Sequence, residues 1–168
     1  PELLAPAGSY EAFIAAVESG ADAVYLGGQQ FNARQYAANF SEDQVKKALD
    51  YAHIRERRVY MTLNVLLYDH EFEQALEYAF RMQQAGVDAF IIQDVGLMRT
   101  LRQVLPEARL HASTQMTIHN AGGVRMAAEI GASRVVLARE LTGDEVADIH
   151  EKCPETELEF FVHGALCF

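Results

Sequence analysis

Basic charge is scarce in this sequence: 14 of its 168 residues are Lys or Arg, against 24 Asp or Glu, for a formal net charge of −10 at pH 7. Binding along a phosphate backbone is driven mainly by Lys and Arg, so the chain by itself is a poor non-specific nucleic-acid binder. The acidic excess reads instead as a solvated outer face of helices. Long apolar runs are missing too: the longest fall well below the roughly 18 residues a membrane span needs, and no basic-then-apolar leader with a cleavage site is present. These absences predict a cytoplasmic protein with no membrane segment. Cysteine is sparse. Cys153 and Cys167 lie in unlike local sequences and suggest no disulfide framework, which leaves them as free thiols or ligands. There is no linker, low-complexity tract or Pro-rich hinge, so residues 1–168 are expected to form a single domain segment. With no initiator methionine, and with no turn or helix after Cys167, that segment is expected to be part of a longer protein truncated at its C-terminus.

What is present is a regular beat. Half of the residues are hydrophobic, ample for a core. Short strand-like runs begin near Glu2, Asp22, Val59, Asp88, Arg109, Arg134 and Leu158, separated by stretches with apolar residues at helical spacing. The first three helices present Phe13, Ile14 and Val17; Val45, Leu49 and Ala52; and Phe72, Leu76, Ala79 and Phe80. Ser41-Glu42-Asp43-Gln44 and Thr142-Gly143-Asp144-Glu145 have the capping-box form of a helix start. Gly20, Gly86 and Gly131 stand where helices must stop, and each opens a related junction: Gly-Ala-Asp-Ala-Val-Tyr, Gly-Val-Asp-Ala-Phe-Ile and, more loosely, Gly-Ala-Ser-Arg-Val-Val.

A repeated strand–helix unit predicts α/β architecture with parallel strands, as either an open doubly wound sheet or a closed barrel. The first turn, Ala5-Pro6-Ala7-Gly8-Ser9, lacks the G-x-G-x-x-G of dinucleotide folds. Strand starts at roughly 26-residue spacing match barrels of about 250 residues. The expectation is therefore a TIM-type (β/α)₈ barrel, here an incomplete segment of about seven strands and six helices.

Barrels assemble their chemistry at the C-terminal ends of the strands. Those ends supply Gly8, Gly27-Gly28-Gln29, Asn64, Gln93-Asp94, Ser113-Thr114-Gln115, Arg139-Glu140 and the run from His163 to Cys167. Asp94 precedes a helix, so capping competes with catalysis there. Asn64 lies in a mostly apolar run, where an amide needs either a ligand or a loop backbone as partner. Gln115 and Ser113 line a pocket or satisfy backbone groups, Arg139 and Glu140 meet substrate or tie neighbouring loops, and His111 near a strand start reads as packing. Phe31-Asn32-Ala33-Arg34, in a long loop after the second strand, puts Asn32 and Arg34 in position to reach over the barrel mouth.

For Cys167 three roles compete: buried thiol, nucleophile paired with His163, or ligand to a soft metal centre. His163 and Cys167 share a face if the chain stays extended, but positions four apart are then about 13 Å apart along the backbone, too far for a direct dyad. A metal ligand needs further donors, and Cys153 beside Pro154 is not an obvious second one. Neither H-E-x-x-H nor G-x-S-x-G occurs, and no nucleophile-and-base set stands out.

Along its whole length the sequence resembles the U32 peptidase family, the collagenase-like proteases. The likeness lies in Pro1-Glu2-Leu3-Leu4-Ala5-Pro6-Ala7-Gly8, Gly20-Ala21-Asp22-Ala23-Val24-Tyr25, Phe31-Asn32-Ala33-Arg34 and Phe161-Val162-His163-Gly164-Ala165-Leu166-Cys167. The family pattern runs through the last of these and on to a second cysteine. The resemblance implies oxygen-independent hydroxylation of a base in ribosomal or transfer RNA, with prephenate as oxygen source. Relatives in quinone synthesis imply a [4Fe-4S] cluster on four cysteines, of which Cys167 would be the first and the others would lie outside this segment. Asn64, Asp94, Gln115, Arg139, Glu140 and His163 would then line the pocket, with Arg139 facing a substrate carboxylate. RNA contacts would come mainly from other parts of the protein. The alternatives are a true peptidase acting on a peptide substrate and a non-catalytic, partner-binding scaffold.

Overall fold

Why the chain alternates strand and helix is visible at its junctions. Gly86 caps a helix with φ +102°, and Gly20 and Gly131 take φ +95° and +123°. A Cβ is disfavoured at such angles, so glycine can end a helix there and release the chain into the next strand. The computed structural model describes residues 1–33 and 39–163. Arg34 and Cys167 lie outside the described residues.

The strands are β1 Leu4–Ala7, β2 Ala23–Gly27, β3 Arg58–Leu63, β4 Ala89–Ile92, β5 Leu110–Ala112, β6 Arg134–Val136 and β7 Glu157–Glu159. The helices are α1 Tyr10–Glu18, α2 Glu42–His53, α3 Phe72–Ala85, α4 Val95–Val104, α5 Ala121–Glu129 and α6 Gly143–Lys152. Each strand starts within two residues of the position its sequence predicts. Both capping boxes form in full, at Ser41 with Gln44 and at Thr142 with Glu145.

The chain divides into two compact units, Pro1–Ile91 and Ile92–Phe168. In the first, β1 pairs with β2 and β2 with β3, all parallel. The register sets Leu4 beside Ala23 and Tyr25 beside Tyr60. Strand alternation then sorts the side chains. One face collects Leu4, Ala23, Tyr25, Tyr60, Ala89 and Ile91. The other carries Val24, Leu26, Val59, Met61 and Leu63, all buried, with α1 packed on β1 and β2 and α2 on β3. Each fully buried side chain of this size contributes about 1.5–3 kcal/mol. At the N-terminal end of this unit Glu2 accepts the Tyr60 hydroxyl at 2.9 Å and pairs with Arg58.

In α3 the buried face is Ala75, Tyr78, Ala79 and Met82, while Phe72 and Leu76 are half-buried and Phe80 is exposed. The expected face Phe72, Leu76, Ala79, Phe80 is thus turned around the helix. The buried face joins two small alanines to the bulk of Tyr78 and Met82.

In the second unit β5 pairs with β6 and β6 with β7, again parallel. His111, Arg134 and Glu157 fall on one face, and Ala112, Val135 and Leu158 on the other. Arg134, 8% exposed, donates to Glu157 at 2.7 and 2.9 Å and lies 3.5 Å from Glu159. His111 is fully buried, as its packing reading requires. Cys153 is a buried thiol, 3.5 Å from the Ala121 carbonyl and 3.6 Å from Arg125 Nη1. β7 is shorter than the apolar run that predicts it: strand ends at Glu159, and Val162 and His163 form a bend.

In neither unit does the strand order reverse. A doubly wound sheet changes direction at a switch point, whereas barrel strands run on in chain order. The architecture is α/β of the (β/α) barrel type.

Candidate functional site

In the first unit the C-terminal strand ends are organised around two glycines. Gly27 closes β2, and a Cβ placed there would lie 3.0 Å from Asn32 Cγ. Asn32 fills that space, 2% exposed, and its Nδ2 donates to the Gly28 carbonyl. Gly28 has a tighter constraint, because a Cβ there would sit 1.9 Å from the Tyr78 hydroxyl. Tyr78 comes from α3, is 2% exposed, and has its pKa pushed up to about 12, first by burial and then by Glu42, with Arg81 opposing. It stays a neutral phenol at physiological pH. Phe31, at φ +58°, packs its ring 6.2 Å from that of Tyr78. From β3 the neighbouring Asn64 reaches the same loop, its Oδ1 accepting from the Ala33 N–H at 3.1 Å. Asn32 and Asn64, both expected at a site, therefore meet on one loop, Gly28 to Ala33.

The second unit builds its strand ends from turns. Asp94 caps α4, its Oδ1 accepting from the Leu97 N–H at 2.8 Å. Ser113 follows β5, is buried, and accepts the Gln115 N–H at 3.2 Å. A 3₁₀ turn, Thr114–Met116, then ends at Thr117 with φ +56°. This turn is stitched to the chain after β6: the Thr114 hydroxyl donates to the Leu137 carbonyl at 3.2 Å, and the Ala138 N–H to the Ile118 carbonyl at 2.8 Å. The stitching sets Gln115 and Arg139 on adjoining segments.

Gln115 Oε1 is buried and, among the described residues, has no hydrogen-bond partner. A buried acceptor left unpaired costs about 1–3 kcal/mol, so it marks a place where a donor belongs. Arg139 lays its guanidinium over the Phe161 ring, 3.6 Å from the centroid. A guanidinium stacked by its face has an in-plane edge whose geometry suits a planar anion. Glu140 lies exposed in the following turn and His163 exposed in the bend after Phe161. Neither is brought against Gln115 or Arg139 by a described hydrogen bond.

Sequence reasoning missed Tyr78 and the roles of Gly27 and Gly28 beneath Asn32. The paired glycines at the end of β2 were the available signal. Tyr78 gave none, because its contact with Gly28 crosses 50 positions of sequence. Among the described residues no three His, Cys, Asp or Glu side chains gather as a metal site, and the only described thiol, Cys153, is turned into the fold.

The sequence pattern of peptidase family U32 matches residues 8–168. The chain belongs to peptidase family U32. Within the family it is 40% identical over 166 residues to the 23S rRNA 5-hydroxycytidine C2501 synthase of Escherichia coli, covering 99% of this chain and 25% of that protein. It is 36% identical over 167 residues to tRNA hydroxylation protein P1 of Bacillus subtilis, covering 99% and 39%. It is also 36% identical over 177 residues to a collagenase of Porphyromonas gingivalis, covering 99% and 42%. The chain thus spans a quarter to about two-fifths of these relatives. In fold it matches the U32 peptidase Mk0906 with TM-score 0.77 at 16% identity, over 95% of this chain and 67% of that one. It also matches 2,3-dimethylmalate lyase with TM-score 0.70 at 15% identity, over 99% and 70%.

Proposed function

We propose that the full-length protein containing this U32 chain supports oxygen-independent hydroxylation of a base in ribosomal or transfer RNA. The observation that carries this reading is the match, over 99% of the chain, to proteins named for rRNA and tRNA hydroxylation in Escherichia coli and Bacillus subtilis. Prephenate is the proposed co-substrate. In the second unit Arg139 suits a carboxylate, and Gln115 Oε1 suits a hydroxyl or N–H donor on the same ligand. Asp94, Glu140 and His163 are proposed to act around it. In the first unit Arg34 and Asn64 are proposed to meet the RNA, whereas Asn32, expected to reach over the mouth, is buried as an anchor of its loop; other parts of the protein supply cationic contacts that a chain of net charge −10 lacks. A cytoplasmic location fits that substrate, and no helix among the described residues is long and apolar enough to cross a membrane.

A [4Fe-4S] cluster with Cys167 as one ligand is part of the proposal. The described residues do not make a nest for it: Cys153 is engaged with Ala121 and Arg125, and no further thiol is described. The remaining thiolates are proposed to come from beyond this chain.

The test compares nucleosides of rRNA and tRNA, by mass spectrometry, from a strain lacking the gene and from the same strain carrying full-length protein or its Cys167→Ala variant. A hydroxylated nucleoside restored by the wild type and not by the variant, together with iron and sulfide in the purified wild type alone, supports the reading. Unchanged RNA in the deleted strain, with no iron in the protein, rejects it. A second reading, peptide-bond hydrolysis, is favoured by the collagenase of Porphyromonas gingivalis. Proteolysis by pure full-length protein, abolished by Cys167→Ser or a chelator, would establish it.

A further inference from the structure

Asn64 follows Leu63, the last residue of β3, and strand alternation puts it on the face of Tyr60 and Thr62. Its Oδ1 is committed to the Ala33 N–H at 3.1 Å. That bond settles which way the carboxamide points. A backbone N–H needs an acceptor, so the oxygen must face Ala33 and the two N–H donors of Nδ2 must face away. Among the described residues Nδ2 has no acceptor, and the side chain is half-buried.

The anchor that fixes it is itself firm. Asn32, 2% exposed and tied to the Gly28 carbonyl, directly precedes Ala33. Ala33 thus follows a packed side chain, and its N–H sets the position of the Asn64 carboxamide.

We propose that Asn64 reads the substrate as a pre-oriented donor, its Nδ2 N–H bonding a carbonyl oxygen on the RNA base that is modified. This rests on the RNA-hydroxylation reading and deepens it. A carboxamide does not titrate near neutral pH, so Asn64 moves no proton; its contribution is orientation. A neutral donor suits a neutral acceptor, whereas backbone phosphates are met by Arg and Lys. Every pyrimidine base carries a ring carbonyl at C2, and recognition of unstacked bases runs through such polar edges.

Asparagine and aspartate have nearly the same shape, which makes the experiment clean. In the full-length protein Asn64→Asp keeps an acceptor for the Ala33 N–H and replaces the two donors with a carboxylate oxygen; Asn64→Ala removes both. Each variant and the wild type are returned to the gene-deleted strain, the hydroxylated nucleoside is quantified, and the thermal midpoint of each purified protein is measured. The expected result is a midpoint for Asn64→Asp within about 2 °C of wild type, with hydroxylation down about tenfold or more. Wild-type hydroxylation by Asn64→Asp would overturn the proposal. So would a midpoint lowered as far as in Asn64→Ala, which would make Asn64 a loop tie alone. If the wild type itself leaves RNA unmodified, the RNA reading fails, and the base as Asn64's partner fails with it.

Discussion

The Tyr78 hydroxyl occupies the space that a side chain on Gly28 would need: a Cβ there would stand 1.9 Å away. Helix α3 and the end of β2 thus share one small volume. Gly28→Ala is expected to destabilise the protein by about 1–3 kcal/mol through overpacking. Adding Tyr78→Phe removes the clashing oxygen and should restore much of the loss. Thermal or urea unfolding of both variants checks this, and equal stability of single and double variants would disprove the contact.

Tyr78 also gives an alkaline limb to stability. Its pKa is raised from 10.0 to about 12, chiefly by burial. A group whose pKa is raised by folding contributes fully below its unfolded value and loses the contribution as pH climbs through the folded one. Stability is therefore expected to fall between pH 10.0 and about 12. Tyr78→Phe should flatten that decline, measured by unfolding midpoints across the range.

At the acid end the sign reverses. Glu145 is held below the usual carboxylate range, first by the backbone N–H of Thr142 and then by its hydroxyl. A depressed pKa stabilises above the unfolded value and the benefit fades as pH falls through the folded one. Protection against amide exchange in the first turn of α6, measured relative to the intrinsic rate at each pH, should fall on acidification, and Glu145→Gln should remove most of that pH dependence. Thr142→Ala and Ser41→Ala should each cost about 1 kcal/mol, the usual value of a lost helix cap.

Arg139 lies flat over Phe161, at 3.6 Å. Lysine carries the charge without the plane. Arg139→Lys is expected to leave stability within about 1 kcal/mol while lowering hydroxylation about tenfold. Nucleoside analysis of the complemented strain measures it; undiminished modification would take Arg139 out of the site.

How much of this could be seen in the sequence depends on range. The Gly20, Gly86 and Gly131 junctions and the Ser41 and Thr142 caps are local, so strands and helices were placed almost to the residue. The face of α3 differs from the expected one because hydrophobicity favours Phe80 over Ala75, yet Ala75 is buried and Phe80 is exposed. At the site, the choice for Asp94 between cap and catalysis was visible, and the structure adds the bond from Leu97. The Asn64 loop tie, across 31 positions, and the orphaned Gln115 oxygen depend on residues far apart in sequence or on the absence of a partner. No spacing rule encodes either. Arg34 and Cys167 lie outside the described residues, and their candidacy rests on the family resemblance.

Strand pairing between chain neighbours has a further effect during synthesis. The strand contacts of the first unit join segments that leave the ribosome one after another. Such near-neighbour wiring favours rapid assembly, and translation adds only about 5–20 residues per second. The Asn64 latch on Ala33 should therefore already be closed on the nascent chain before the segment bearing Arg139 has been translated.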